Sequence, residues 1–437
     1  MTEKTNRKLF ISFLGASNYG ECKYLIDGQA SRSVRYVQEA MLEHYAHQGW
    51  YSQDCAYILL TDIAKQKNWE NDGHLTREGT VIEQKGLRDC LGTLGLPMQV
   101  CPLENVPPGN DETEIMQLFS LLYELIKDGD ELYFDITHGF RYLPIIALVL
   151  GNYSKFLKNV TVKWIGYGNY EGRDVESNVA QVVDLTSMSL LQDWTTAAAD
   201  FINNGNAGSV SMLTQQQLRP ILREARGADN NANAMKKMSI SLEAIVNDFK
   251  YCRGFNIIES KNMKVLKNSL NDLEKCMIEP LTPIIEKINA SISGFEGEEN
   301  VKNGFAAARW CINNDMSQQA ATILQETVIT FISMRHGLNY KEVAQRSIAS
   351  DALNIVANDI AKEKWDMAEN DRELVMTLMA NEPLLKKEDF LKTYKNLTEL
   401  RNDLNHCGMR NNPQSASKIK EKIFNFHTTL FKFLSGE

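Results

Sequence analysis

A group of polar residues follows one apolar run of the chain and provides functional groups suited to binding phosphate. Thr137 offers a hydroxyl, His138 a ring donor and Gly139 a backbone that a ligand can approach. Arg141 carries the forked guanidinium that pairs with phosphate oxygens. Pro144 stands where a helix would begin, a position at which its missing N–H costs nothing. The segment is therefore predicted to be a strand-to-helix turn that binds a ligand; a structural role for the histidine is the alternative.

A second small and polar segment follows the first apolar run. It starts at Gly15 and continues with the polar residues Ser17, Asn18 and Tyr19. A glycine lets backbone N–H groups approach a phosphate, and the N-terminus of a following helix favours negative charge. The segment lacks both the G-x-G-x-x-G fingerprint of dinucleotide sites and the P-loop pattern, so neither of those ligands is predicted. Taken alone, it is equally consistent with an ordinary turn.

An arginine and a histidine stand five residues apart near the C-terminal end. A stripe of leucines predicts a helix here, and Gly408 is expected to be its C-cap. His406 then falls in the last turn, where the helix dipole stabilises a protonated imidazole. An imidazole can transfer a proton near neutral pH, and the Arg401 guanidinium can hold phosphate oxygens by two parallel bonds. A merely polar helix end is the alternative interpretation of this pair.

The elements that position these residues differ between the two halves of the chain. Residues 115–126 have the apolar spacing of a helix, with Asn110 and Asp111 able to cap it. Strands that alternate with helices predict an α/β domain with a mostly parallel sheet, and ligands bind such sheets at the carboxyl ends of the strands. Six strand-like runs support this fold in about the first 185 residues: 9–14, 55–61, 98–102, 132–137, 160–165 and 182–185.

The strand signal ends after Asp184, and the rest of the chain is predicted to be all-α. Residues 317–334 form the strongest helix, which is expected to pack against the helix that carries Arg401 and to expose Glu326 to solvent. Residues rich in Gly and Asn separate the helices and favour turns. The predicted domains are 1–190, 191–300 and 301–437, and the predicted breaks are 203–209, 227–233, 294–300 and 408–415.

The segment from Asp135 to Gly139 reads Asp-x-Thr-His-Gly, and it resembles the motif that names the DxTHG family of CRISPR-associated proteins. That family comprises ancillary proteins of type III CRISPR systems with an N-terminal Rossmann-like CARF domain. The resemblance implies binding of a cyclic oligoadenylate as an activator across the two-fold axis of a homodimer or a higher even oligomer. The residues 166–169 would add a wall or form a plain glycine turn. The implied activator-binding residues, with Arg141 beside them, are Gly15, Ser17, Asn18, Tyr19, Thr137, His138 and Gly139.

Many members of that family carry a C-terminal HEPN ribonuclease domain, and the spacing of Arg401 and His406 is similar to its R-x4–6-H motif. Asn402 fits the polar residue that is common after the arginine. The resemblance implies cleavage of single-stranded RNA through its 2′-hydroxyl, with the pair from a second subunit completing the site. No metal and no cofactor other than the activator is expected. The alternatives are a sensor whose helical domain only docks a partner, or a CARF domain that also degrades its activator.

Composition limits the class of protein. A length of 437 residues predicts two or three domains, and the net charge of −9 argues against a protein that coats nucleic acid. The eight cysteines form no C-x-x-C pair, which favours scattered buried thiols over zinc sites or disulfides. The polar start and the short apolar run at 9–14 predict neither a signal peptide nor a membrane span. A cytoplasmic protein without membrane contact is therefore expected.

Overall fold

The computed structural model describes residues 6–273 and 282–435. The chain divides into two compact units, Met1–Gln192 and Asp193–Glu437. The first unit is α/β and the second is helical, so the predicted fold class is confirmed. The predicted division into three functional domains stays a prediction.

The N-terminal unit alternates strands and helices. Its strands are β1 Lys8–Phe13, β2 Lys23–Ile26, β3 Gln29–Ala30, β4 Cys55–Leu59, β5 His74–Leu75, β6 Val81–Ile82, β7 Gln99–Leu103, β8 Glu131–Asp135, β9 Thr161–Gly168 and β10 Val179–Asp184. Its helices are α1 Val37–Ala46, α2 Asp62–Ala64, α3 Leu87–Gly92, α4 Glu112–Leu125 and α5 Leu143–Lys158, with a π-helical turn at Lys65–Trp69.

Eight of these strands form one sheet in the order β3-β2-β10-β9-β8-β1-β4-β7. The pairs of β1 with β4 and β8, of β4 with β7 and of β8 with β9 are parallel, as predicted. Strand β10 pairs antiparallel with β9, and β5 and β6 form a separate hairpin. Side chains of β1 alternate between two buried clusters, with Phe10 on one face and Leu9 and Ile11 on the other. Helices therefore cover both faces of the sheet.

Strand order reverses beside β1. After β2 and β3, which lie at the far end of the sheet, the chain builds β4 and β7 on one side of β1 and later builds β8 and β9 on the other. Ser12 near the end of β1 lies in register with Asp135 at the end of β8. The loops that follow these two strands therefore meet at the carboxyl edge of the sheet, at the switch point where α/β folds bind ligands.

Asp111 and Pro144 lie at the N-termini of helices, as predicted. The Asp111 side chain accepts a hydrogen bond from the Glu114 N–H at 2.9 Å and so caps α4, which begins three residues before the predicted start. Pro144 lies in the first turn of α5. Helix α5 therefore starts directly after the polar loop that follows β8.

The C-terminal unit consists of helices in the part of the chain that the structure describes. The helix Ser317–Arg335 covers the predicted residues and packs against the helices Lys302–Asn313, Val343–Asn358, Glu388–Asn405 and Ala416–Ser435. The helices are α6 Thr186–Asn204, α7 Gly208–Glu224, α8 Asn230–Lys250, α9 Gly254–Glu259, α10 Lys261–Asn271, α11 Thr282–Ser291, α12 Lys302–Asn313, α13 Ser317–Arg335, α14 Val343–Asn358, α15 Glu369–Asn381, α16 Glu388–Asn405 and α17 Ala416–Ser435. Short 3₁₀ turns occur at Lys362–Lys364 and Pro383–Lys386.

The end of α16 differs from the prediction by two residues. His406 is the C-cap, and Cys407 adopts the left-handed conformation with a φ of 56°. Gly408 follows it and donates its N–H to the Asp403 carbonyl at 2.8 Å. The Cys407 N–H also donates to the Leu404 carbonyl at 3.2 Å, and the two bonds form a Schellman motif that closes the helix. Gly408 is thus not the C-cap, but it does complete the capping motif.

The cysteines and the helices bear on two further expectations. The described cysteines are free thiols, but Cys407 is exposed, so the expectation of buried thiols is wrong there. Cys276 lies outside the described residues. Within residues 6–273 and 282–435, no helix is long and apolar enough to cross a bilayer.

Candidate functional site

A buried hydrogen-bond network supports the loop that follows β8. Asp135 is 1% exposed, and its carboxylate accepts bonds from Ser12 Oγ at 2.6 Å and from the Thr137 N–H at 2.9 Å. Gln38 Nε2 donates to Ser12 Oγ at 3.0 Å. Burial raises the pKa of Asp135, and its hydrogen bonds oppose that rise. Asp135 therefore holds the backbone of the loop and does not face a ligand.

Thr137 also has a partner inside the protein. Its Oγ1 accepts a hydrogen bond from the Gly168 N–H at 2.8 Å. A side chain at Gly168 would lie 2.8 Å from Val37 and 3.3 Å from Thr137, so a glycine lets β9 approach this closely. The Thr137 hydroxyl thus ties the loop to β9, and this contact brings the 166–169 segment beside the loop.

His138 and Tyr19 join the two polar loops. Their rings stack with centroids 4.2 Å apart and an interplanar angle of 28°. A Cβ at Gly15 would lie 2.2 Å from the Tyr19 hydroxyl oxygen, so a larger residue there would displace the Tyr19 ring. Nε2 of His138 is buried and has no hydrogen-bond partner among the described residues. Burial lowers the pKa of His138 to about 4, so its ring is neutral near pH 7.

Gly139 has a conformation that other residues rarely adopt. Its φ is 111°, and an added Cβ would lie 2.4 Å from Leu143 Cδ1 and 3.3 Å from Phe13 Cβ. Both the backbone and the space around it therefore require glycine at the turn into α5.

Three of the predicted binding residues face solvent. Ser17, Asn18 and Arg141 are exposed, and their side chains make no hydrogen bond or ion pair with any residue that the structure describes. Their polar groups are therefore available to a ligand at the same edge of the sheet as His138.

Two supports of the first loop were not anticipated from the sequence. Asn68 Nδ2 donates to the carbonyl oxygens of Gly15 and Ser17, at 2.8 Å each. Arg35 Nη1 donates to the Tyr19 carbonyl at 3.1 Å. Both supports come from outside the loop and recognise backbone atoms, so no local sequence pattern marks them.

The second candidate site lies at the end of α16. Arg401 Nε donates to Gln325 Oε1 on α13 at 2.8 Å, and Gln325 is 5% exposed. The terminal nitrogens of Arg401 make no hydrogen bond with a described residue. Burial raises the pKa of neighbouring Tyr394 to about 12, so its phenol stays neutral near pH 7. The guanidinium is thus anchored through one nitrogen and open at the other two.

His406 and Asn402 complete this candidate site differently from Arg401. His406 is exposed at the C-cap, and neither its ring nor the Asn402 side chain bonds to another residue in the described ranges. Positions five apart on a helix point about 140° away from each other, because each residue turns the helix by about 100°. Arg401 faces α13 while His406 occupies the helix end. One copy of the chain therefore presents the two groups without enclosing them.

Several other polar side chains of the helical unit have structural partners. Glu326 pairs with Arg346 at 2.6 Å and does not contact Arg401. His336 is the C-cap of α13, and its ring lies 2.9 Å from the buried Glu382 carboxylate. His427 is a buried ring whose Nε2 lies 3.0 Å from the Phe305 carbonyl oxygen. Across the described ranges, no group of three His, Cys, Asp or Glu side chains is placed to hold a metal ion.

Comparisons with known proteins point to the same N-terminal loops. The family model for "CRISPR system endoribonuclease Csx1, CARF domain" matches residues 9–171. The chain is 27% identical over 372 residues to CRISPR-associated protein MJ1674 of Methanocaldococcus jannaschii, an alignment that covers 75% of this chain and 54% of that protein. The chain thus spans about half the length of this curated relative.

A solved structure also resembles the chain. It is Enterococcus italicus Csm6 bound to cyclic hexa-2′-fluoro-hexa-dAMP, with a TM-score of 0.47 and 12% identity over 98% of this chain and 94% of that one. The match of the family model to residues 9–171 includes both polar loops and the Asp-x-Thr-His-Gly motif. The resemblance to CRISPR-associated CARF proteins is thereby confirmed, and residues 9–171 are similar to the CARF domain of the Csx1 family.

Proposed function

We propose that this chain is an endoribonuclease of type III CRISPR defence that is activated by a cyclic oligoadenylate. The activator binds the two polar loops of the CARF domain, and Arg401, Asn402 and His406 cut single-stranded RNA in the helical unit. The observation that carries the proposal is His138. Its ring nitrogen is buried without a partner where the two loops meet, in a CARF domain, and such a group gains a hydrogen bond when a ligand arrives.

The chemistry of the loops suits a ring of nucleotides. A neutral His138 can donate from Nε2 to a phosphate oxygen or a base. Ser17, Asn18 and Arg141 add exposed donors, and the N-terminus of α5 favours negative charge beside them. Tyr19 lies over His138 and provides an aromatic face for an adenine.

A homodimer would join two such sites. Helix α5 exposes apolar side chains at a helical spacing, with Ile145 65%, Val149 49%, Tyr153 46% and Phe156 86% exposed. Water-exposed apolar stripes of this kind mark interfaces. Because α5 begins at the His138 loop, a second copy packed on this stripe around a two-fold axis would bring two activator loops together. The proposed partner on this face is therefore a second copy of the chain.

The RNA-cleaving step uses groups that the helical unit exposes. His406 takes the proton of a ribose 2′-hydroxyl, and the 2′-oxygen then bonds to the adjacent phosphorus. The bond from phosphorus to the 5′-oxygen breaks, and that oxygen takes a proton from the second imidazole of the dimer. The open nitrogens of Arg401 hold the non-bridging oxygens while their charge grows, and Asn402 donates to the RNA beside them. No metal takes part in these steps.

The dimer also provides a means of control. Each chain presents an Arg401 and a His406 that do not enclose a substrate by themselves. A ligand that favours one arrangement of two subunits over another changes how well the paired sites are assembled. Activator binding in the CARF domain would therefore raise the rate of RNA cleavage without touching the RNA.

The nature of the RNA ends tests this proposal. Single-stranded RNA is incubated with the protein and with cyclic tri-, tetra- or hexa-adenylate in turn. The proposed reaction leaves a 2′,3′-cyclic phosphate and a 5′-hydroxyl. We expect RNA with these ends when one of the three cyclic oligoadenylates is present. Ring binding with no cleavage would overturn the nuclease and leave a sensor whose helical domain docks a partner.

A further inference from the structure

The segment between β4 and α3 reaches the activator loop although it carries no family motif. It comprises α2, the π-helical turn Lys65–Trp69 and the β5–β6 hairpin. Asn68 lies in the π-helical turn and is 0% exposed. Burying a polar side chain completely is unfavourable unless the side chain has hydrogen-bond partners, so the partners of Asn68 are informative.

The contacts of Asn68 fix the orientation of its amide. Nδ2 has two N–H groups, and they donate to the carbonyls of Gly15 and Ser17, at 2.8 Å each. Oδ1 lies 3.0 Å from Nε2 of His74, a ring on β5 that is 8% exposed. Because both carbonyls are acceptors, the amide nitrogen must face them and the amide oxygen must accept from the His74 ring.

One side chain thus holds two carbonyls on either side of Ala16. This arrangement sets the curvature of the loop and directs Ser17 and Asn18 to solvent. Within the described residues, no backbone N–H donates to the carbonyl oxygen of Gly15 or of Ser17. A second brace is independent of the first, because Arg35 Nη1 joins the Tyr19 carbonyl to Gln84 Oε1 of the same inserted segment.

We propose that Asn68 is a positioning residue for activator binding: it holds the Gly15–Ser17 loop in the conformation that receives the cyclic oligoadenylate, and His74 holds the amide of Asn68. This inference rests on the proposed function and adds a residue to the activator site. Asn68 does not touch the ligand. It acts through the loop, so its loss weakens binding and leaves the RNA-cutting residues unchanged.

The test compares full-length wild type with Asn68→Ala and Asn68→Asp by calorimetric titration of cyclic tri-, tetra- and hexa-adenylate. Loss of two buried hydrogen bonds should weaken binding of the ring that wild type binds by about tenfold or more. Asn68→Asp keeps the side-chain shape but turns an oxygen toward the two carbonyls, so it should weaken binding at least as much. The cleavage rate at saturating activator should stay within about twofold of wild type, which a general loss of structure would not allow.

Asn71→Ala is the matched control. Asn71 also lies between β4 and α3. It donates to Asp89 and accepts from the Gly86 N–H, and it makes no hydrogen bond to the Gly15–Ser17 loop among the described residues. Its loss should leave ring binding unchanged. Wild-type affinity in both Asn68 variants would overturn the positioning role alone, as would a thermal midpoint and a saturated cleavage rate that fall together with binding. If no ring binds wild type, the proposed function fails and this inference fails with it.

Discussion

At the scale of single residues, the Asp-x-Thr-His-Gly motif divides into residues that support the loop and one that has an unpartnered ring nitrogen. The Asp135 carboxylate accepts hydrogen bonds from Ser12 and from the loop backbone, and the Thr137 hydroxyl accepts one from β9. His138 alone of the three carries a buried nitrogen without a partner in the described part of the chain. The spacing of the motif identifies these residues as a group, but only their contacts in the structure distinguish their roles.

The neutral state of His138 predicts a dependence of stability on pH. Its pKa is about 4 in the folded protein and 6.5 ordinarily, because burial disfavours the charged ring. Between these values the unfolded chain binds the extra proton, so this contribution is present above pH 6.5 and is lost as the pH falls to about 4. The loss amounts to roughly 3 kcal/mol.

His138→Phe keeps a ring on Tyr19 and removes the titration. Relative to wild type, this variant should gain thermal midpoint as the pH is lowered from 7.5 to about 4.5, because it lacks the lost contribution. The same change at the exposed His47 serves as the control. A difference between His138→Phe and wild type that stays constant with pH would show that the ring is not held neutral by burial.

Residues that act on backbone atoms or over long sequence distances escape motif analysis. Asn68 recognises carbonyl groups, which every residue carries, and Gln325 lies 76 positions before Arg401. The sequence analysis considered Glu326 and expected it to face solvent, whereas its neighbour Gln325 makes the contact with Arg401. One step along a helix changes the direction of a side chain by about 100°, so the apolar pattern alone was too coarse to decide between neighbours.

At the scale of elements, the long strands and helices were predictable and the short ones were not. All six predicted strands are present, and each is five to eight residues long, which is enough for an apolar pattern to show in the sequence. Strand β3 and the β5–β6 hairpin have two residues per strand, too few for any period to be recognised. Yet the hairpin carries His74, which contacts Asn68 and through it the Gly15–Ser17 loop. Part of the support of that loop therefore comes from elements that periodicity does not reveal.

The turn from β8 into α5 gives a prediction for this scale. Gly139→Ala must place a Cβ 2.4 Å from Leu143 Cδ1 at a φ of 111°, so the turn has to move. We expect a loss of about 1–3 kcal/mol of stability and weaker activator binding. Gly79→Ala is the matched control, since Gly79 has a φ of 85° with nothing within 4 Å of an added Cβ. Equal thermal midpoints for the two variants would contradict the steric argument.

At the scale of the whole molecule, the proposed activity requires two copies of the chain. Each copy offers an apolar α5 face beside its activator loop, and an Arg401 and a His406 that are open rather than enclosed. Fold class followed from the sequence because it depends on many residues at once. The pairing of copies depends on one exposed stripe, and a single chain's periodicity does not distinguish that stripe from a buried face.

Val149→Glu tests the pairing. A carboxylate in the centre of the apolar stripe would have to lose its water in the interface, so the dimer should dissociate at micromolar concentration. Light scattering after gel filtration should give the mass of one chain, and activated RNA cleavage should fall at least about tenfold. Ile63→Glu, at an apolar residue of α2 that is 63% exposed, should change neither. A Val149→Glu dimer with full activity would contradict the assignment of this face.

The most direct test of the central claim is cleavage of a fluorescent single-stranded RNA in EDTA by wild type and His406→Ala, with cyclic tri-, tetra- and hexa-adenylate in turn. Met409→Ala is the control, since this 88% exposed side chain lies three residues further on. We predict that one ring switches on cleavage in wild type and in the control, and that His406→Ala loses at least about 100-fold of that rate. Cleavage by His406→Ala at the wild-type rate, or no cleavage by wild type with any ring, would contradict the account.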